Sequence, residues 1–379
     1  MIEYRYASDE HRRDVIDFIN YVFSQAACPH DFKTLIPKVY ADGRGYADIH
    51  AIVLEDNYVR GVVAQLPNEF TYGGKKLKTG YIGSVSTYKY SRGSGYMIKL
   101  MEMQAENAVK QGIDVMLLGG QRQRYEYYGY SPIGGQYRYD FVHANIRHGL
   151  KDVCSEGIEF IPFKDACSCE IDCAYAIYEK QPVTGGRPRE DFEIILSSWN
   201  STPYIVKKDG EVKGYIVSNG PEGIGEMTLS CSCLVKPVIK AWFERFGIRR
   251  LSVVCASYDA KLNRELASFS ESYNLTAGFH AWVVNLKNVL EATMALKKET
   301  LGLKDGEMVL QMDEDTPLLV KVENGEIIVS ETNAEPTVKL DRLLMQQFLF
   351  GYNRFTSPDA KAPEGWLPLP LHLYGSDHF

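Results

Sequence analysis

Arg92-Gly93-Ser94-Gly95 stands between two segments of different periodicity. Before it, Lys78 to Thr87 alternates and is rich in Thr, Tyr, Ile, Val and Ser, the pattern of a strand. After it, Met97, Leu100, Met101, Ala105, Ala108 and Val109 recur at helical spacing and predict a helix from Ser94 to Gln111 with one buried face. A glycine-rich turn at such a junction leaves the first helical N–H groups unpaired and lets an anion reach the backbone. Gly93 and Gly95 remove the Cβ atoms that would obstruct that approach, and Arg92 adds a positive charge. Pyrophosphate is the simplest such anion. There is no Gly-Lys-Ser/Thr, and no convincing Gly-x-Gly-x-x-Gly with a downstream ribose-binding acid. A predicted strand, Asp114 to Gly119, then leads to a tyrosine run at 125, 127, 128 and 130. A phenol with a reference pKa of about 10 stays protonated at neutral pH and can donate a proton. On these residues alone two plainer readings stay open: a helix-capping turn, and tyrosines that merely pack.

Together the segments resemble the acetyl-CoA fold of the Gcn5-related N-acetyltransferases (GNAT). Their phosphate motif, Arg or Gln, two residues, Gly, one residue, Gly or Ala, lies on Arg92, Gly95 and Met97, and their Phe-Tyr-x-x-Phe-Gly-Phe motif falls on Arg124 to Tyr130. Met97 and Arg124 depart from the usual residues. The resemblance implies acetyl-CoA as co-substrate and no metal. It implies that the backbone of Val85, Ser86 and Thr87 holds the pantetheine arm, that Arg92, Gly93, Ser94, Gly95, Tyr96 and Met97 hold the pyrophosphate, and that Gly120 and Gln121 flank the cofactor. Tyr125 would protonate the leaving thiolate.

These groups need a scaffold, and the element order supplies one. A strand at Tyr4 to Tyr6, helices at Asp9 to Phe23 and near Asp31 to Tyr40, and strands at Ile49 to Glu55 and Val59 to Glu69 precede the motif. From about Asn145 a second unit loosely repeats this order, with a helix at Ile171 to Glu179, strands at Tyr204 to Lys208 and Val212 to Ser218, a helix near Leu234 to Phe246 and a strand at Arg250 to Cys255. It lacks the phosphate motif and reads as a degenerate copy. The remainder carries a strand from Phe279 to Asn285, a helix from Leu286 to Lys298, strands at Glu307 to Met312, Pro317 to Val322 and Glu326 to Ser330, and a helix from Asp341 to Phe350. Tandem GNAT folds over 1–144 and 145–278, followed by a sterol-carrier-protein-like α/β domain over 279–379, resemble the Eis (enhanced intracellular survival) acetyltransferases. That resemblance implies a hexamer, cationic amine substrates of the aminoglycoside- or lysine-containing type, and a general base in the free carboxylate of Phe379. Phe23, Asp31 and Asp377 would meet the cation, with Glu126, Asp377 and His378 as alternative acids or bases. The approach Gly365-Trp-Leu-Pro-Leu-Pro370 is apolar and proline-stiffened, which suits a docked tail.

Composition narrows the partners. With 45% hydrophobic and 24% charged residues the chain is globular, and the absence of an apolar run of about 18 residues predicts no membrane span. The N-terminus lacks a signal-peptide layout, so a cytoplasmic location is expected. A net charge of -7 argues against nucleic acid and suits a cationic partner. The eight cysteines show no zinc-site spacing and are expected to be reduced thiols, several of them buried. Two rival classes remain: a tandem-fold transferase acting on a peptide, and a non-enzymatic lipid-binding scaffold.

Overall fold

The computed structural model describes residues 1–25, 28–45, 47–352 and 360–379. Chain order in the first half is β1 (Ile2–Tyr6), α1 (Arg12–Ser24), α2 (Phe32–Leu35), α3 (Pro37–Tyr40), β2 (His50–Glu55), β3 (Tyr58–Tyr72), β4 (Lys75–Thr87), α4 (Tyr96–Gln111), β5 (Val115–Leu118), α5 (Arg122–Glu126) and β6 (Ser131–Val142). The second half runs α6 (His143–Gly149), β7 (Ile158–Pro162), α7 (Ser168–Tyr178), β8 (Val183–Gly185), α8 (Phe192–Leu196), β9 (Thr202–Lys208), β10 (Glu211–Ser218), β11 (Gly223–Leu229), α9 (Val235–Phe246), β12 (Arg250–Ala256), α10 (Ala260–Ala267) and β13 (Ser272–Val283). The C-terminal part holds α11 (Leu286–Thr300), β14 (Gly306–Met312), β15 (Leu318–Glu323), β16 (Glu326–Glu331), β17 (Val338–Leu340) and α12 (Arg342–Phe350).

Among the described residues the first two parts share a 13-stranded sheet ordered β1-β2-β3-β4-β5-β13-β6-β12-β11-β10-β9-β7, with β8 beside β3. The strand expected from Phe279 begins at Ser272 and lies inside this sheet, between β5 and β6. Each half has a parallel pair that opens, β4 with β5 and β11 with β12. The last strand of each half is exchanged, so that β13 pairs with β5 and β6 pairs with β12. Backbone pairing thus stitches the two halves into one body.

Of the six apolar residues expected on the covered face of α4, Leu100, Met101 and Ala108 are buried, Met97 and Ala105 are half-buried and Val109 is exposed, while Tyr96 and Gln104 are buried as well. The helix begins at Tyr96, and buried Gln104 has a polar reason to be there. Its Nε2 donates to the carbonyls of Ile49 (3.0 Å) and Val63 (2.7 Å). Val63 is the residue of β3 without a register partner in β4, where the strand pairing is irregular, and the buried Gln104 amide is satisfied by bonding there.

The small sheet, ordered β16-β15-β14-β17, packs with α11 and α12 against the opposite face of the first half. From it, residues 360–379 run back over the large sheet, burying Trp366, Leu369, Leu371, Leu373 and Phe379. Each large apolar side chain so buried contributes about 2 kcal/mol, enough to hold the tail in place. The Trp366 indole donates to the Lys304 carbonyl, and Lys297 donates to the carbonyls of Trp366 and Pro368.

The cysteines correct the expectation that several are buried: only Cys255 is, while Cys167 lies beside Cys169 and Cys231 beside Cys233 on exposed segments. Among the described residues no helix is long and apolar enough to cross a membrane, and no cluster of three or more His, Cys, Asp or Glu side chains is arranged to hold a metal.

Candidate active site

The site starts from an irregularity in β4. Val62 pairs with Ser86 and Ala64 with Gly83, so β4 carries one residue more than β3 across this stretch, and Ser84 takes a left-handed φ of 52°. Such a bulge bends a strand and ends its regular pairing. On the other side, pairing between β4 and β5 stops at Ile82 and Leu118, leaving the backbone beyond Gly83 without a strand partner on the β5 side. The split opens into a cavity of about 660 Å3.

Val85, Gly120, Gln121, Tyr125 and Phe379 line that cavity; Ser86, Thr87 and the segment Arg92 to Met97 do not. Ser86 is buried, with its hydroxyl on the Ser84 carbonyl at 3.1 Å. Arg92, Gly93, Ser94 and Gly95 are exposed beside the helix start, Met97 is half-buried, and the Tyr96 ring is turned inward against Tyr4. Gly93 and Gly95 have φ of 87° and 77°, and a methyl carbon at either would meet nothing within 4 Å. The glycines therefore answer to backbone conformation and leave open space over the amino end of α4, whose cap residue Gly95 supplies no side-chain bond.

Tyr125 sits on α5, with its ring over Gly120, where a methyl carbon would stand 2.5 Å from Tyr125 Cε2. Burial raises its pKa while the neighbouring Arg124 pulls it down, and the net is upward. The phenol is protonated at neutral pH and able to donate.

Opposite, the tail is clamped. Lys38 Nζ donates to the carbonyls of Ser376 and His378, and the Trp199 indole also donates to the His378 carbonyl at 3.2 Å. Asp377 accepts two bonds from buried Arg187 (2.7 and 2.8 Å), and Arg187 makes two more to Glu226 (2.7 and 2.9 Å). One guanidinium bridges both buried carboxylates, and the hydroxyls of Tyr215 and Ser376 donate to Glu226 as well, so the negative charge left on the group is hydrogen-bonded. Burial lowers Lys38 to about 7 and His378 to about 4.

Asp31 and Asp377, expected to meet a cation, do not line the cavity; Phe23 does. Asp31 caps α2, accepting from the Lys33 amide and the Thr34 hydroxyl. Glu126 does not line it, whereas His378 does. The sequence reading missed Gly83, Ser84, Trp199 and Asn219, whose only local signal is a left-handed φ at Ser84 and Trp199 that no sequence pattern shows. It also missed a buried chain from Ser84 Oγ to Tyr40 OH (2.7 Å) to His50 Nε2 (2.9 Å).

Residues 3–133 match the family model described as an acetyltransferase (GNAT) domain. No curated protein matches the chain. Among solved structures, a conserved protein of unknown function from Enterococcus faecalis V583, described as a probable N-acyltransferase, is 15% identical over 98% of this chain and 97% of its own, with a TM-score of 0.68. A GCN5-related N-acetyltransferase from Anabaena variabilis is 16% identical over 92% and 89%, with a TM-score of 0.67. Eis1 from Mycobacterium abscessus is 14% identical over 100% of both chains, with a TM-score of 0.66. The split strands, the glycine turn at α4 and these matches establish that the chain has the GNAT acetyltransferase fold, extended by a second small sheet.

Proposed function

We propose that the protein is an acetyl-CoA-dependent N-acetyltransferase acting on the amine of a cationic small molecule. The observation that carries this reading is that Tyr125 and the C-terminal Phe379, far apart in the sequence, line one cavity at the split of β4 and β5. The co-substrate supplies an activated thioester. Arg92 to Met97 would hold its pyrophosphate, Val85 to Thr87 its pantetheine arm, and Gly120 and Gln121 its flank.

The amine must lose a proton to attack, and the thiolate must gain one to leave. In this reading the main-chain carboxylate of Phe379, through a water, takes the ammonium proton. Tyr125 gives its phenolic proton to the sulfur. A carboxylate is a weak base in water, and apolar surroundings strengthen it by disfavouring the charged form. By the same reading the protein assembles as a hexamer, which light scattering tests directly.

Free CoA release from acetyl-CoA with a panel of amines tests the activity, and deletion of Phe379 tests the base. The expected result is loss of turnover with acetyl-CoA binding retained by calorimetry; unchanged turnover removes Phe379 from the mechanism. No release with any amine, together with lipid retained through purification, favours the scaffold reading.

A further inference from the structure

Resting on the acetyltransferase reading, we infer that the acceptor is a monoamine on an apolar, aromatic-sized body, and that the site discriminates against polycations. Among the described residues, the cavity has no aspartate or glutamate side chain in its lining. Its one permanently charged side chain is the cation Arg124. His378 is held neutral near pH 7 by burial. The neighbouring acids are committed elsewhere, Asp377 and Glu226 to Arg187, and Asp31 to the cap of α2. The Phe379 carboxylate of the proposed mechanism can compensate one ammonium group. A molecule carrying several would bury the rest unpaired, beside Arg124.

The walls make the complementary argument. Phe23 and Phe32 meet edge to face with ring centroids 5.0 Å apart, and Ile36, Val217 and Val254 continue the apolar surface. Trp199 is held in the left-handed region at φ 61°, which a bulky residue adopts only when its surroundings impose it. Two bonds do so: its amide donates to the Leu35 carbonyl (2.6 Å) and its indole to the His378 carbonyl (3.2 Å). The strained conformation places an indole in the cavity lining between α2 and the tail. Aromatic surfaces of this kind stack rings and attract a single desolvated cation. Neutral Gln136, Asn219 and Ser201 can orient one or two polar substituents.

The test uses the full-length protein, acetyl-CoA and a thiol reagent that reads free CoA. 2-Phenylethylamine and tryptamine should show kcat/KM at least about tenfold above spermine and kanamycin, the scale on which a few desolvated contacts discriminate substrates. Equal or better turnover of the polycations overturns this inference and leaves the acetyltransferase reading standing; no turnover with any amine overturns both. Trp199→Ala should raise KM for 2-phenylethylamine about tenfold with KM for acetyl-CoA unchanged, and Trp199→Phe should restore most of it. An unchanged amine KM in a folded Trp199→Ala protein removes the aromatic wall from the argument. Asn219→Asp, which adds a carboxylate to the lining, should shift preference toward spermine; no shift counts against charge as the discriminating feature.

Discussion

The ring of Phe379 fills the space that a side chain at Gly83 would need: a methyl carbon built on Gly83 would stand 1.4 Å from Phe379 Cδ1. Gly83 lies where β4 loses register with β3, so the bulge and the last residue of the chain are fitted to each other. Gly83→Ala leaves the strand able to form but displaces the ring. A shift of about 1 Å in a reacting group costs about 100-fold in rate, so kcat should fall at least that far. Acetyl-CoA binding measured by calorimetry should change little. A normal kcat would mean that the position of Phe379 is irrelevant to turnover.

Tyr125→Phe removes a hydroxyl and keeps the ring that packs on Gly120. As a general acid, Tyr125 should be worth about 100-fold or more in kcat, with KM for acetyl-CoA near the native value. The native high-pH limb of the rate profile should vanish with the phenol, and burial, which raises the Tyr125 pKa, places that limb on the alkaline side of an ordinary tyrosine. Steady-state rates across alkaline pH check both points.

What the sequence disclosed and concealed follows from how local each cause is. The turn at Gly93 and Gly95 and the tyrosine run were legible because left-handed glycines and an amphipathic helix are local effects. Val109, expected on the covered face of α4, is exposed, and Gln104, which apolar periodicity does not pick out, is buried with its amide on the carbonyls of Ile49 and Val63, far off in the sequence. The exchange of β13 and β6 was invisible, because strand order depends on pairing between segments more than a hundred residues apart, as His280 with Leu118 shows. Arg187, in a Gly-Gly-Arg-Pro stretch that reads as an ordinary loop, turned out to be the buried partner of two acids. Trp199 carried no signal either, and Phe379 was singled out only through a family resemblance.

Arg187 should matter for stability more than any surface ion pair. Its side chain is 1% exposed, and it pairs with Glu226 and Asp377 at 2.7 Å each. Arg187→Met would leave two buried carboxylates without a counter-charge, a change that costs about 3–5 kcal/mol. Denaturant unfolding should show that loss. Asp377→Asn, which keeps the Arg187 and Glu226 pair, should cost less and should loosen the tail, read as faster carboxypeptidase trimming of Phe379. Equal stability of Arg187→Met and native protein would mean that the network is not formed in solution.

Three buried groups, His372 and His378 on the tail and Lys38 against it, set the pH dependence of its docking. Burial lowers His372 to about 3, assisted by His378 and Arg187 and opposed by Asp377; both ring nitrogens of His372 lack a protein partner. An unfolded histidine titrates near 6.5, so between about pH 6.5 and 3 the unfolded chain binds a proton that the folded chain refuses. Stability therefore falls as pH drops through that window, and His378, lowered to about 4, adds to the fall. Lys38, lowered to about 7, has the same sign at higher pH: between about 7 and 10.4 the unfolded lysine is charged while the folded one is neutral, so stability rises across that range. His372→Phe should flatten the acid slope and leave the alkaline one; Lys38→Met should do the reverse. Urea unfolding at a series of pH values separates them, and parallel slopes in all three proteins would show that neither residue is held neutral by the docked tail.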